Sequence, residues 1–262
     1  MNDRILNHPR HHPRAQRLFL ILGGFFIANA LIAEFIGAKI FSLEKTLGFR
    51  PLSLSLFGIE GLSFNMTAGV ILWPVVFVMT DVVNEYFGKR GVRLLTMLAA
   101  GLIAYAFAAV GLAIAAAPAD FWKTDPDGFD AELAFARTLG QGMWIIVGSL
   151  TAFLVGQLVD VLVFHRIRKI TGEKYIGLRA TASTLVSQLI DSYLVLFVAF
   201  YLKPGSGWTL SLVAAVGAVN YVYKSLMAVA MTPLVYLAHK LIDDYLGPEL
   251  SRALTQSAAE ES

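Results

Sequence analysis

Apolar residues run along this chain in long blocks. They do not follow the alternating or three-to-four-residue spacing of a half-buried strand or a surface helix. Six blocks, at about 18–41, 66–88, 93–117, 140–164, 179–202 and 209–239, reach the roughly 20 residues a helix needs to cross a hydrocarbon core. In lipid every backbone polar group must be satisfied within the spanning structure, and uninterrupted apolar runs of this length do so as helices. The pattern predicts an all-α polytopic membrane protein with six transmembrane helices in residues 18–240. Residues 1–17 form a basic tail before them, and residues 241–262 a polar tail expected to be loosely ordered. The first block exceeds the short apolar core of a signal peptide, so it is expected to remain as a helix.

The connections carry their own signals. Gly88-Lys89-Arg90-Gly91 reads as a tight basic turn between the second and third blocks. Residues 118–139, with Pro118, Asp120 and Asp125-Pro126-Asp127-Gly128, are too acidic to span. Residues 42–65 alternate only in part and fit either a short hairpin or an interfacial segment.

Composition agrees with the pattern: 56% of residues are hydrophobic and 15% charged, against about 25% charged in a soluble domain. The net charge of +2 says little, but its distribution sets the orientation. With the N-terminus inside, fourteen Lys and Arg fall in inner loops and tails, against Lys45, Arg50, Lys123, Arg137 and Lys203 outside. This bias predicts both termini cytoplasmic. The absence of cysteine excludes disulfides and thiolate metal sites. His8, His11 and His12, set among prolines and arginines, read as solvated, so neither a metal nor a cofactor is expected. Gly205-Ser206-Gly207 and His239 fall at opposite membrane faces, too far apart for a Ser–His dyad, and no Gly-rich phosphate loop is present.

Polar groups inside the blocks carry the functional signal, because a buried charge in lipid is costly and usually faces the bundle interior. Asn29, Gln188, Asp191, Asn220 and Lys224 gather near the midplane. Asp81, Asn84, Gln157 and Asp160 lie nearer the cytoplasm. Transporter sites tend to lie at the midplane, which favours the first layer as a pocket. The plainer alternative is a structural Asp191–Lys224 pair, with Asp81 and Asp160 bracing loops against Lys89, Arg90 or Arg166. Five helices all turning amides and carboxylates inward favour function for the set. Glu34, Lys39 and Glu85 fall near the interfaces and are expected to be solvated, with Glu85 beside the basic turn. Phe77, Tyr193 and Tyr221 are the candidates for stacking on a planar ligand, each with packing as its alternative.

Four motifs in order then carry a resemblance. They are Thr80-Asp81-Val82-Val83-Asn84-Glu85-Tyr86-Phe87-Gly88; Gly156-Gln157-Leu158-Val159-Asp160-Val161 with Phe164; Arg179-Ala180-Thr181-Ala182-Ser183-Thr184-Leu185 with Gln188 and Asp191-Ser192; and Asn220-Tyr221 with Lys224. Together the chain resembles the queuosine precursor transporter family, also described as vitamin uptake transporters. The resemblance implies import of 7-deazaguanines such as preQ0 and preQ1, or the base queuine, and no enzymatic activity. It implies Asp191 as bidentate acceptor for the guanine-like edge, and Asn220, Gln188 or Lys224 as donor to the ring carbonyl. Asn29, Asn84 and Gln157 would complete the hydrogen bonds. Asp81 or Asp160 would serve coupling or gating. A secondary transporter, a facilitator, and a binding subunit energised by a separate ATPase module all stay open. The implied partners are the small-molecule base and the lipid bilayer, with a homodimer left open and no nucleic acid.

Overall fold

A computed structural model describes residues 9–123, 128–140, 143–171 and 175–260. Residues 1–8 of the expected N-terminal tail, His8 among them, Asp125-Pro126-Asp127 and Lys174 lie outside them. Among the described residues five helices are long and apolar enough to cross a membrane. They make a multi-pass membrane protein, consistent with the all-α expectation. The first, α1 (Pro13–Ile36), starts earlier than the apolar block because Pro13 suits a first helical position and the His12 ring accepts the Arg14 amide at 3.2 Å.

The expected hairpin or interfacial segment is both folded and partly β. Strand β1 (Ile40–Ser42) pairs antiparallel with β4 (Asn65–Thr67), while β2 (Leu54–Leu56) pairs with β3 (Ile59–Leu62) around Phe57-Gly58. A short helix α2 (Leu43–Thr46) sits between β1 and β2 and presents Glu44 to the cap interior. The Glu44 carboxylate accepts hydrogen bonds from the Phe64 amide (2.9 Å), the Ser42 hydroxyl (3.0 Å) and the Leu52 amide (3.4 Å). Burial alone pushes this carboxyl up, but hydrogen bonds from the Phe64, Leu52 and its own backbone amides and from Ser42 outweigh that. The group is held below the usual carboxylate range.

The second and third apolar blocks form one element, α3 (Trp73–Ala115), broken at Gly88 (φ 67, ψ −170). That backbone conformation is nearly exclusive to glycine. A Cβ placed on Gly91 would meet Phe87 at 2.7 Å and Val83 at 3.3 Å. Residues eight apart are separated by about 12 Å along a straight helix, so the chain folds back here. The expected four-residue basic turn is compressed into one glycine, and Lys89 and Arg90 are already helical.

Beyond α3 come α4 (Asp120–Lys123) and the amphipathic α5 (Ala131–Leu139). Then follow α6 (Met143–Thr171), α7 (Ile176–Leu196, extended by a π-helical turn at Phe197–Tyr201) and α8 (Leu210–Leu246). Helix α6 packs along α7, α7 along α8, and α1 against α3. Gly148 on α6 faces Ala199 so closely that an added Cβ would stand 2.8 Å from its methyl, the small-residue contact that lets membrane helices approach.

The C-terminal segment differs from the expected loose tail. It forms α9 (Pro248–Glu260), which packs on α3 and buries Leu250, Ala253, Leu254 and Ala258. The segment looks polar because only one stripe is apolar; α3 supplies the surface that orders it. Arg168 donates to the Thr255 carbonyl at 2.8 Å, and Arg14 reaches the Tyr245 carbonyl at 3.4 Å, so α9 and the start of α1 are both tied to the bundle.

Candidate functional site

Three helical stripes face one cavity. From the first arm of α3 come Trp73, Phe77 and Asp81, spaced four apart; from α7 come Ala180, Thr184 and Gln188 at the same spacing. From α8 come Lys224, Met227, Met231 and Val235, beside Tyr223. The space they enclose is about 490 Å³ including its open mouth. The walls are largely aromatic, aliphatic and thioether, and Asp81, Thr181, Thr184, Gln188 and Lys224 bring polar groups to it. Mostly apolar walls with a few placed polar groups describe small-molecule sites generally.

The two expected polar layers are not separate. Gln188 and Lys224 from the midplane set meet Asp81 from the cytoplasmic set in the same cavity. Asp191 is ion-paired with Lys224 and stands outside the lining. Behind Asp81, Thr80 donates to the Gln157 carbonyl oxygen at 3.2 Å, and Ser187 to the Asp160 carboxylate at 3.3 Å. Asn84 is fully buried in that region. Asn29 bonds within its own helix, to the Phe25 carbonyl at 2.8 Å. Asn220 and Tyr221 are half-buried and do not line the cavity. Tyr193 packs instead toward Phe197, Leu210 and Val213 in an outer apolar groove. Of the three stacking candidates, only Phe77 is at the cavity, with its ring centroid 6.1 Å from that of Trp73.

Below the cavity the expected solvated Glu85 is a correction. It is buried, and its carboxylate takes Arg179 at 2.9 Å and Arg168 at 3.6 Å. Arg179, counted in the sequence as an inner-loop charge, is the largest fully buried side chain among the described residues. One residue on, Tyr86 donates to Asp243 at 2.7 Å and stacks on His239. Glu34, also expected at an interface, is buried and accepts from Ser149 at 2.5 Å. Each carboxylate found its partner on a helix distant in sequence, which spacing along one helix does not reveal. Tyr223, Met227 and Met231 were missed as lining residues, although the last two share a helical face with Lys224 and were legible as a stripe.

A family described as "Putative vitamin uptake transporter" matches residues 67–238, from the end of β4 through most of α8. The chain belongs to this family. Among its relatives, the "Probable queuosine precursor transporter" of Bacillus subtilis (strain 168) is 29% identical over 188 residues, covering 70% of this chain and 76% of its own length. The protein of the same description from Haemophilus influenzae is 25% identical over 172 residues (64% of this chain, 66% of its own). The "Queuosine precursor transporter" of Escherichia coli (strain K12) is 30% identical over 146 residues (55% and 59%). No solved structure matches the chain. The family and these relatives are transporters, so the chain is a membrane transporter and not an enzyme. The matched region contains all three stripes of the cavity.

Proposed function

We propose that this transporter imports queuosine precursors, 7-deazaguanine bases such as preQ0 and preQ1 or the base queuine, across the inner membrane, as a secondary transporter or facilitator. The observation that carries the reading is the cavity between α3, α7 and α8, whose polar groups suit a guanine-like edge. Adjacent N1–H and 2-amino donors fit a carboxylate in bidentate fashion, and Asp81 is the carboxylate on the cavity wall. Lys224, held by Asp191, and the Gln188 amide face the same space and suit the ring carbonyl. Trp73, Phe77 and Tyr223 supply flat surfaces for the bicyclic ring. Asp191 thus acts through Lys224, while Asn84 and Gln157 support Asp81 from behind.

In this reading α3 crosses the membrane twice through its fold at Gly88, giving six spans with both termini cytoplasmic. The excess of Lys and Arg on that side supports the orientation. The test is binding of preQ0, preQ1, queuine and guanine to the purified protein, with Asp81→Asn and Asp191→Asn beside the wild type. Asp81→Asn is expected to lose binding roughly 10–100-fold, the cost of about 1.5–3 kcal/mol for hydrogen bonds to a charged group. No measurable affinity for any deazaguanine overturns the reading.

A further inference from the structure

The buried carboxylates of this bundle differ in their partners among the described residues. Glu85 is engaged by Arg179 and Arg168, and Asp191 by Lys224. Asp81 and Asp160, 3% and 1% exposed, lie within electrostatic reach of one another, and no described basic side chain is bonded to either. Asp81 Oδ1 and Asp160 Oδ2 have no hydrogen-bond partner among the described residues. Around them, both polar atoms of the Asn84 amide and the Nε2 atoms of Gln157 and Gln188 are equally unpartnered, and all three side chains are at most 2% exposed. Buried polar atoms are nearly always paired, so a concentration of orphans in one place points to a bound species.

The chemistry of the orphans identifies its class. They comprise three oxygens, Asp81 Oδ1, Asp160 Oδ2 and Asn84 Oδ1, together with the amide N–H groups of Asn84, Gln157 and Gln188, which donate hydrogen bonds and leave only the oxygens to hold a cation. Hard oxygen donors of this kind suit a small cation. Two like charges brought together in a low dielectric need at least one positive charge between them. We propose that Asp81, Asp160 and Asn84, supported by Gln157 and Gln188, bind one monovalent coupling cation, a proton or a sodium ion. The proposal deepens the transport reading above and rests on it for the identity of the cargo.

The coupling route is Asp81 itself. It lines the substrate cavity beside Gln188, and its Oδ1 is buried without a hydrogen-bond partner among the described residues. A cation held there changes the charge and orientation of the group that meets the base. By linkage, the base then raises cation affinity by the same factor that the cation raises base affinity. Glu85 on α3 bears electrostatically on Asp81 and is itself engaged by Arg168 on α6 and Arg179 on α7, with His165 and His239 near those arginines, while Lys224 on α8 lines the same cavity as Asp81.

The test uses the purified full-length protein. Thermal unfolding is followed in sodium, potassium and choline chloride and across a range of pH, for the wild type, Asp160→Asn and Asn84→Ala. A sodium site raises Tm in sodium alone. A proton site gives no sodium effect but a pH dependence of Tm that differs between wild type and Asp160→Asn. In either case the dependence flattens in Asp160→Asn, with Asn84→Ala as the second variant should the first fail to fold. Base affinity is measured in the same conditions and is expected to change by roughly 5–150-fold with the cation in the wild type. A wild type indifferent to sodium, with a pH response identical to that of both variants, overturns the proposal. A cation-dependent Tm without binding of any base overturns the transport reading and leaves this site standing.

Discussion

Glu85→Ala is the perturbation that separates the buried cluster from a surface ion pair. In the folded chain Glu85 Oε2 lies 2.9 Å from Arg179 Nη2, with side-chain exposures of 7% and 0%. At an effective dielectric of about 20, two unit charges at that distance attract by about 6 kcal/mol. Desolvation offsets part of this, but removing one partner leaves the other charge buried without it, which typically costs about 3–5 kcal/mol. At roughly 2–4 °C per kcal/mol for a chain of this size, the melting temperature falls by about 6–20 °C. The assay is unfolding of the purified protein in mixed micelles, followed by tryptophan fluorescence, with Glu85→Gln as the shape-conserving control. The double variant Glu85→Leu/Arg179→Met is expected to recover much of the loss, because it removes both charges together. A loss below about 1 kcal/mol, the value of an exposed pair, refutes the reasoning and returns Glu85 to water beside Lys89 and Arg90.

Two further outcomes follow from backbone and cap. Gly88→Ala forces a side chain into φ 67, ψ −170 and is expected to cost about 1–3 kcal/mol in the same unfolding assay; an unchanged stability means that α3 does not fold back there. In the cap formed by β1 to β4 the Glu44 carboxyl has a folded value below its unfolded one, so it stabilises above the unfolded value and that contribution is lost as pH falls through the folded one. Limited proteolysis of residues 40–67 is therefore expected to accelerate on acidification in the wild type, and to be fast and nearly pH-independent in Glu44→Gln.

The sequence by itself determined what depends on local composition and on position along the chain. Runs of apolar residues specify spanning helices because lipid leaves the backbone no other partner, and the five long helices overlap all six predicted blocks. The inward polar positions were legible for the same reason: Asp81, Gln188 and Lys224 are too costly to face lipid. Tertiary structure decided which of those residues meet. Asp191 and Lys224, 33 residues apart, pair across α7 and α8. Glu85 and Arg179, 94 apart, looked like interface charges because each stands within a turn or so of a helix end, yet neighbouring helices cover both. The C-terminal segment looked polar because its apolar stripe has meaning only against α3. Periodicity reports which way a residue points from its own helix. What stands opposite is fixed by how α3 folds at Gly88 and how α6, α7 and α8 pack around it, and no single stretch of sequence contains that information.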